Sequence, residues 1–379
     1  MKTELISGWD GAMALRDDWR NLHRSKGTFG AHLFNDFDYL DIWQEYFGDD
    51  RDLFILTARD DEGTLVGLAA LQRQVRKAGP FSYRRMGMIQ NEFISRSSVM
   101  VNGDPEVIAP ALAALLIENA HLYEDLVFEH MLADCPAQIA LRRTLEDAGW
   151  MTSMELDERP LRTVIFDGDE DAYVQTRRRK MRINFNRSLR RCGELPDFSV
   201  KVSTAPENAA NLMRRMFSLD WMSGKRLRPG AIYPPLAKEF HLQLAERADD
   251  IGGVEFVEAW SGDRLIASIF SVRNLHAQYL LVTYSDANYN ASSPGLLVIL
   301  RAVGTGLSHP DIRIVDLNGD SSLLERISTD LIQYGVFKAN HRRPFSLLIG
   351  AARKAKAFLS GIRSRTLKTT IPDPERAET

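Results

Sequence analysis

Apolar residues recur along this chain in two alternating periods. Between residues 33 and 47, "LFNDFDYLDIWQEYF", Phe37, Leu40, Trp43 or Gln44 and Phe47 fall three or four apart, which predicts an amphipathic helix. The runs "LFILTAR" and "TLVGLAALQRQ" are rich in strand formers and are joined by "DDEG", an acid-glycine turn, so they predict a hairpin. "SSVMV" reads as a further strand, "PEVIAPALAALLIENAHLY" as a helix opening at Pro105, and "DLVFEHM" as a short strand. "AQIALRRTLEDAGW" reads as a helix closed by Gly149.

The second half repeats that order. After "LRTVIFD" come an arginine-rich helix, the strand "FSVKVS", the helix "PENAANLMRRMFSLDW", a loop "SGKRLRPGAIYPP" and the helix "LAKEFHLQLAERA". "VEFVEAW", "RLIASIFSVR" and "QYLLVTYSD", linked by "SGD" and "NLHA", predict an antiparallel meander. "SSPGLLVILRAVGTGL" follows as a helix, and "IRIVDLNGD" as a strand with a polar end. Both halves thus pass through hairpin strands, a helix, a strand and more helix, as a duplicated α/β unit would. At 379 residues the chain is long enough for two cores. The expected division is 1–160, 161–345, and a basic amphipathic helix with a disordered tail over 346–379.

Composition is that of a globular protein, 44% hydrophobic and 26% charged. No apolar run approaches the roughly 20 residues of a membrane span, and the N-terminus has no signal-peptide core. A cytoplasmic protein is expected. The basic stretch "FSLLIGAARKAKAFLSGIRSR" admits two readings, a solvated helix docked on the second domain or a peripheral contact with the inner membrane surface. Cys135 and Cys192 have neither metal nor redox spacing and should be small buried groups. The eight histidines are scattered, no metal site is expected, and there is no Gly-x-Ser-x-Gly elbow.

The net charge of -3 hides an asymmetry: residues 1–160 hold 27 acids against 16 Lys and Arg, and the rest 24 against 32. Anionic partners should prefer the second part. Eight of its basic residues lie between Arg177 and Arg191 with no acid among them. Met181, Phe185, Leu189 and Cys192 recur at helical spacing there and should pack inward, leaving Arg178, Arg182, Arg187 and Arg190 outside. Like charges at this density repel, and a phosphate or carboxylate would relieve them, as would acids of the first domain. Duplex nucleic acid finds no motif here, and exposed aromatics are scarce in the arginine helix.

"YSDANYNASSPGLLVIL" followed by "VDLNGD", preceded by "RRRKMRINFNRSLRRCGE", resembles the tandem GNAT-fold N-acyltransferases, including the CelD-like cellulose-biosynthesis proteins, and is similar to the FemABX-type aminoacyltransferases. "TFGAHLFNDFDYLDIWQEYFG" resembles the opening of that family, so the likeness covers roughly residues 29–330. It implies two tandem GNAT-like α/β domains, each a mixed, mostly antiparallel sheet flanked by helices. It also implies transfer of an acyl group from acyl-CoA, acetyl or longer, or from an acyl carrier protein, to an amine of a small molecule, glycan or peptide precursor. An aminoacyl-tRNA donor and a non-catalytic scaffold that binds membrane or an anionic partner are the alternatives.

"SSPG" suits a donor's pyrophosphate. Ser293 can cap a helix, Pro294 can occupy its first turn without loss, and Gly295 leaves room, so the free N–H groups from Ser293 through Leu296 would face an anion. Amine acylation needs a proton acceptor, an oxyanion donor and an acid for the thiolate. Asp316, ending "IRIVD", is the candidate base; Tyr284 and Asp286, ending "QYLLVTYSD", complete the set. By the family's layout the arginine helix opens the second domain beside the cleft, so Arg178, Arg179, Arg182 and Asn186 are the candidate substrate contacts. The sequence departs from relatives in two ways. It lacks the glycine-rich pyrophosphate loop of single-domain GNAT enzymes, and Leu323 and Leu324 stand where a Tyr-Lys pair is common, with Arg326 a possible substitute.

Overall fold

The two periods become strands and helices close to the expected places in the computed structural model, which describes residues 1–48, 51–78, 81–158, 160–204, 206–223 and 235–341. The loop at 224–234 and the expected basic helix from 346 onward lie outside the described residues. The first unit runs β1 (Lys2–Ser7), α1 (Trp9–Met13), α2 (Arg16–Arg24), α3 (Phe37–Phe47), β2 (Asp52–Arg59), β3 (Leu65–Ala78), β4 (Phe81–Met88), β5 (Met100–Val101), α4 (Pro105–Glu118), β6 (Asp125–Leu132), α5 (Pro136–Asp147) and β7 (Met151–Leu156). The second begins β8 (Leu161–Val164), α6 (Glu170–Thr176), α7 (Arg179–Gly193), β9 (Phe198–Ser203), α8 (Ala209–Ser218), α9 (Pro235–Glu246) and α10 (Ala248–Ile251). It continues β10 (Val254–Ser261), β11 (Arg264–Asn274), β12 (Ala277–Ser285), α11 (Pro294–Ser308), β13 (Ile314–Asp316), α12 (Ser322–Ile327), β14 (Asp330–Ile332) and β15 (Tyr334–Asn340).

Local chemistry accounts for the boundaries. The helix expected from residue 33 starts at Phe37 instead, because Asp36 adopts an extended backbone and its carboxylate accepts the N–H groups of Asp38 and Tyr39. The preceding Leu33–Asn35 forms a single 3₁₀ turn. Gly63 takes the left-handed conformation that lets β2 turn into β3. Each sheet is antiparallel except at one place, β4 beside β6 in the first and β12 beside β13 in the second. The strand orders are β1-β2-β3-β4-β6-β15-β7, with β5 on β3, and β14-β8-β13-β12-β11-β10-β9. Two tandem mixed α/β units with mostly antiparallel sheets flanked by helices are therefore the fold, as the sequence led one to expect. One strand departs from the expected division: β15, assigned by sequence to the second domain, pairs between β6 and β7 in the first sheet.

Three apolar cores result. One joins α4 and α5 to the first sheet, one joins α6, α7 and α11 to the second, and the third is shared. This shared core draws Leu53 and Ile55 from the first sheet, Phe256 and Phe270 from the second, and Trp43 and Phe240 from the helices between. Phe93 of the first unit stacks on Phe47 at 5.1 Å and meets Phe240 of the second at 5.5 Å. Polar locks reinforce the join. Asp38, fully buried, takes Arg20 at 2.6 Å and Arg247 of the second unit at 3.4 Å, and Arg247 also reaches Asp41 at 2.9 Å. First-unit acids thus meet second-unit arginine at α10's start; among the described residues they pair with none on α7.

His241 is sealed in the shared core, where burial lowers its pKa to about 4. A histidine whose folded pKa is depressed leaves the folded state neutral while the unfolded chain takes up a proton below pH 6.5. Stability is therefore intact above that pH and is lost as pH falls toward 4. Between pH 6.5 and 5, before most carboxylates titrate, His241 alone should remove about 2 kcal/mol. Urea midpoints measured across that window should fall, and should fall less steeply in His241→Leu.

Candidate functional site

The site arises where β12 and β13 part company. They pair in parallel only from Ala277–Tyr279 to Ile314–Asp316, and beyond that point the chains diverge. Leu281 sharpens the divergence. Its neighbours Leu280 and Val282 face Ser271 and Phe270 of β11, whereas Leu281 is the extra residue of a bulge with no partner in either adjoining strand. The gap is a cleft of about 790 Å³.

Four surfaces line it. From β12, Leu280, Thr283 and Ser285 face the cleft, while Val282 and Tyr284 are buried in the shared core on the other side, against which Leu281 also packs. From the start of α11 come Ser293, Pro294, Gly295 and Leu296, and from α7 come Asn184, Arg187, Ser188 and Arg191. Leu317 and Asn318 after β13, with Leu323 and Leu324 of α12, close the far wall. The result is apolar along the walls and cationic at one rim. Among the described residues that line the cleft, Arg187 and Arg191 are the ionisable ones.

The turn before α11 is held from outside. Arg191 donates to Ala291 O at 2.7 Å, Cys192 Sγ to Ser292 O at 3.4 Å, and Ser188 Oγ lies at 3.5 Å from Ser293 O. Ser293 sits at the cap position with φ 53°, a left-handed conformation costing about 1–2 kcal/mol for a residue with a Cβ. Its hydroxyl donates to Asn290 O instead of capping the helix, so the cap expected from the sequence is present in place but not in chemistry. In the first turn of α11 Pro294 brings no N–H and Leu296 already gives its own to Ser293 O at 3.1 Å, which leaves the N–H of Gly295 without an acceptor among the described residues. Burial pushes the Cys192 thiol up to about 11, so it stays protonated and inert.

The nominated acid-base residues do not line the cleft. Asp316 is buried in an ion pair with Arg96, which crosses from the first unit and lies between the rings of Phe34 and Tyr279, 5.7 and 5.6 Å from their centroids. The other Asp316 oxygen accepts Asn318 N–H at 2.8 Å. Tyr284 points into the shared core, edge-on to Phe217, and burial pushes its phenol far above the usual range. Asp286 is fully buried, paired with Arg264 at 2.5 Å and accepting Asn288 N–H. Strand alternation turns Tyr284 away from the cleft, and an arginine holds each of Asp316 and Asp286.

The arginine helix is read one face over. The buried stripe is Met181, Phe185, Ser188 and Cys192, whereas Leu189 is 49% exposed. This phase points Asn184, Arg187, Ser188 and Arg191 at the cleft. Arg178, Arg179, Arg182 and Asn186 lie on other faces, with Arg182 reaching back to Gln175. Ser293, Pro294, Gly295 and Leu296 all line the cleft where the sequence put them together. Arg187, placed outside with the other cations, was not among the nominated contacts, and Arg191 and Ser285 were missed; the signal for Ser285 was strand alternation counted from the bulge, which the sequence does not display.

With this geometry in hand, comparison becomes informative. Residues 179–322 match the family model described as an acetyltransferase (GNAT) domain. That stretch begins with α7 and ends at the first residue of α12, so it contains nearly every wall of the cleft. No curated protein matches the sequence. Among solved structures, the crystal structure of FemX is similar with TM-score 0.57 at 14% identity, covering 92% of this chain and 100% of that one. A conserved protein of unknown function from Bacteroides thetaiotaomicron is similar with TM-score 0.54 at 10% identity, covering 87% of this chain and 97% of that one. At such identities the likeness establishes a shared fold across both units. Among the described residues no helix is long and apolar enough to cross a membrane, and no three His, Cys, Asp or Glu side chains gather as metal ligands.

Proposed function

We propose that the second unit is an N-acyltransferase whose cleft takes a phosphorylated thioester donor with an uncharged, apolar acyl chain. The carrying observation is the lining: an open helix start and two arginines at one rim, leucines along the walls, and no carboxylate among the described lining residues. A pyrophosphate would accept from the N–H of Gly295 in the first turn of α11 and from Arg187, which has no acidic partner among the described residues. The pantetheine and acyl chain would follow the apolar wall of Leu280, Leu296, Leu323 and Leu324. The Tyr-Lys position occupied by two leucines then belongs to acyl recognition rather than to charge.

In the reaction the acceptor nitrogen attacks the thioester carbonyl carbon. A C–N bond forms, the C–S bond breaks, and the proton lost by the amine ends on the departing thiolate. No described lining side chain is a carboxylate or a histidine, so the amine must arrive neutral or release its proton to water. The chain's contribution is alignment, and the bulge at Leu281 is where a backbone N–H would meet the charge that develops on the carbonyl oxygen. A donor carrying an α-ammonium, as an aminoacyl-tRNA does, would set that charge against the leucine wall, with no carboxylate among the described lining residues to meet it. That electrostatic mismatch favours acyl-CoA or an acyl carrier protein.

Calorimetric titration and transfer assays with acetyl-CoA, longer acyl-CoA, acyl carrier protein and aminoacyl-tRNA separate these donors. Tighter binding as the acyl chain lengthens is expected; binding of aminoacyl-tRNA alone would refute the proposal. Gly295 supplies a local check. A methyl there would meet Ser285 Oγ at 3.4 Å, an ordinary contact, so Gly295→Ala keeps the fold while narrowing the throat. Its melting temperature should stay within about a degree or two and its donor KM should rise about tenfold, as overpacking of about 1–2 kcal/mol would give.

A further inference from the structure

We infer that the outer stripe of α7 is a docking surface for an acidic carrier protein, which brings the acyl chain into the cleft on a phosphopantetheine arm; the inference rests on the thioester-donor reading of that cleft. A carrier protein and coenzyme A present the same arm and differ in what the arm is attached to. The surface outside the cleft therefore discriminates between them.

The cations of α7 run on past the rim. Lys180 lies one turn before Asn184 on the helical line that continues through Arg187 to Arg191 along the border of the cleft. Lys180, Arg187, Arg190 and Arg191 are all exposed. From Lys180 to Arg190 the helix rises about 15 Å, longer than the paired phosphates of a coenzyme and well matched to a partner helix laid alongside. None of these charges is firmly neutralised. Lys180 and Arg187 have no acidic partner among the described residues, Arg191 donates to a neutral acceptor, Ala291 O, and Arg190 comes no nearer than 3.7 Å to Glu194 with both side chains in water. Ile183, one turn from both Lys180 and Arg187, is 44% exposed. One exposed isoleucine is ordinary, but an apolar centre ringed by unpaired cations has the make-up of a small protein interface.

The direction of the helix supplies a second observation. Helix starts favour acids, yet α7 has none in its first turn and carries Arg178 at its cap position followed by Arg179 and Lys180. That placement is unfavourable in the isolated chain, and an acidic partner laid on the stripe would reverse it. RNA is acidic too, but the aromatic ring of α7, Phe185, is buried, and Ile183 offers nothing to a phosphodiester chain. A lipid surface would call for several apolar side chains, and the stripe has one.

The test is calorimetric titration of the full-length protein with a carrier protein bearing a dodecanoyl-phosphopantetheine arm and, separately, with dodecanoyl-CoA; total tRNA and phosphatidylglycerol vesicles serve as rival ligands. The loaded carrier should bind about tenfold or more tighter than dodecanoyl-CoA, with the steeper salt dependence. K180Q/I183S should weaken the carrier about tenfold or more and leave dodecanoyl-CoA within about threefold. It should melt no lower than the parent, since both residues are exposed and a cation leaves the first turn. Carrier binding no tighter than that of dodecanoyl-CoA, equal losses for both donors in the variant, or binding of tRNA or vesicles in place of the carrier would overturn the inference and leave the cleft's reading standing. Failure of both donors to bind would refute that reading and the inference with it.

Discussion

Arg187→Ala/Arg191→Ala should bind an acyl-CoA donor at least about a hundredfold more weakly than the parent protein. The arithmetic is short: hydrogen bonds to charged groups contribute about 1.5–3 kcal/mol each, and two lost contacts exceed the 2.8 kcal/mol that a hundredfold represents. Arg187 is exposed on α7 without an acidic partner among the described residues, so Arg187→Ala alone should leave the melting temperature unchanged and still lose about tenfold or more. Arg191 also holds Ala291 O, and its loss should add a small stability cost. The contrast with neighbours on the same helix gives the result its meaning. Arg179→Ala and Arg182→Ala, equal in charge but turned from the cleft, should bind within about twofold of the parent. Calorimetry on the four proteins at one ionic strength reads the difference directly, and equal losses in all four would reduce the effect to general electrostatics.

The second large effect lies in stability. Arg96→Met should lower stability by about 3–5 kcal/mol, because it strands the Asp316 carboxylate in a site closed by Phe34 and Tyr279. For units of this size that corresponds to a drop in melting temperature of roughly 10 °C. The paired change Arg96→Met/Asp316→Asn should recover most of the loss, since an ion pair removed as a whole leaves no unpaired charge. The pair also has a local consequence. Asp316 holds the N–H of Asn318, a cleft residue with φ 45°, so the first unit buttresses the far wall of the cleft through one arginine. Donor affinity should therefore fall in Arg96→Met beyond what unfolding explains, when measured well below its melting temperature. A cavity carboxylate used as a base would behave differently: Asp316→Asn alone would then abolish turnover while sparing donor affinity.

Elements were legible in the sequence where period and punctuation agreed. The meander of β10, β11 and β12, the Ser-Pro-Gly start of α11 and the repeated order of elements all follow from local patterns. Long-range placement did not. Nothing near residues 334–340 announces that β15 will cross into the first sheet, because strand pairing is a property of the whole sheet. The site divided along the same line. Ser293 to Leu296 are contiguous, so one turn carries them all to the cleft. Tyr284 depends on the parity of β12, and the bulge at Leu281 resets that parity. Asp316 looked like a strand-end carboxylate available for chemistry, and only the partner 220 residues away, Arg96, shows it to be a strut. On α7 a single position decided the outcome: Ser188, not Leu189, continues the buried stripe, because its small side chain tucks against the Ser293 carbonyl.

The most direct measurement is a crystal structure of the protein with a non-hydrolysable long-chain acyl-CoA. The account predicts one donor per chain in the second unit, its pyrophosphate against the N–H of Gly295 beside Arg187, and its acyl chain along Leu280, Leu323 and Leu324. A donor seated in the first unit, or a cleft that stays empty at saturating ligand while transfer activity is present, would contradict it.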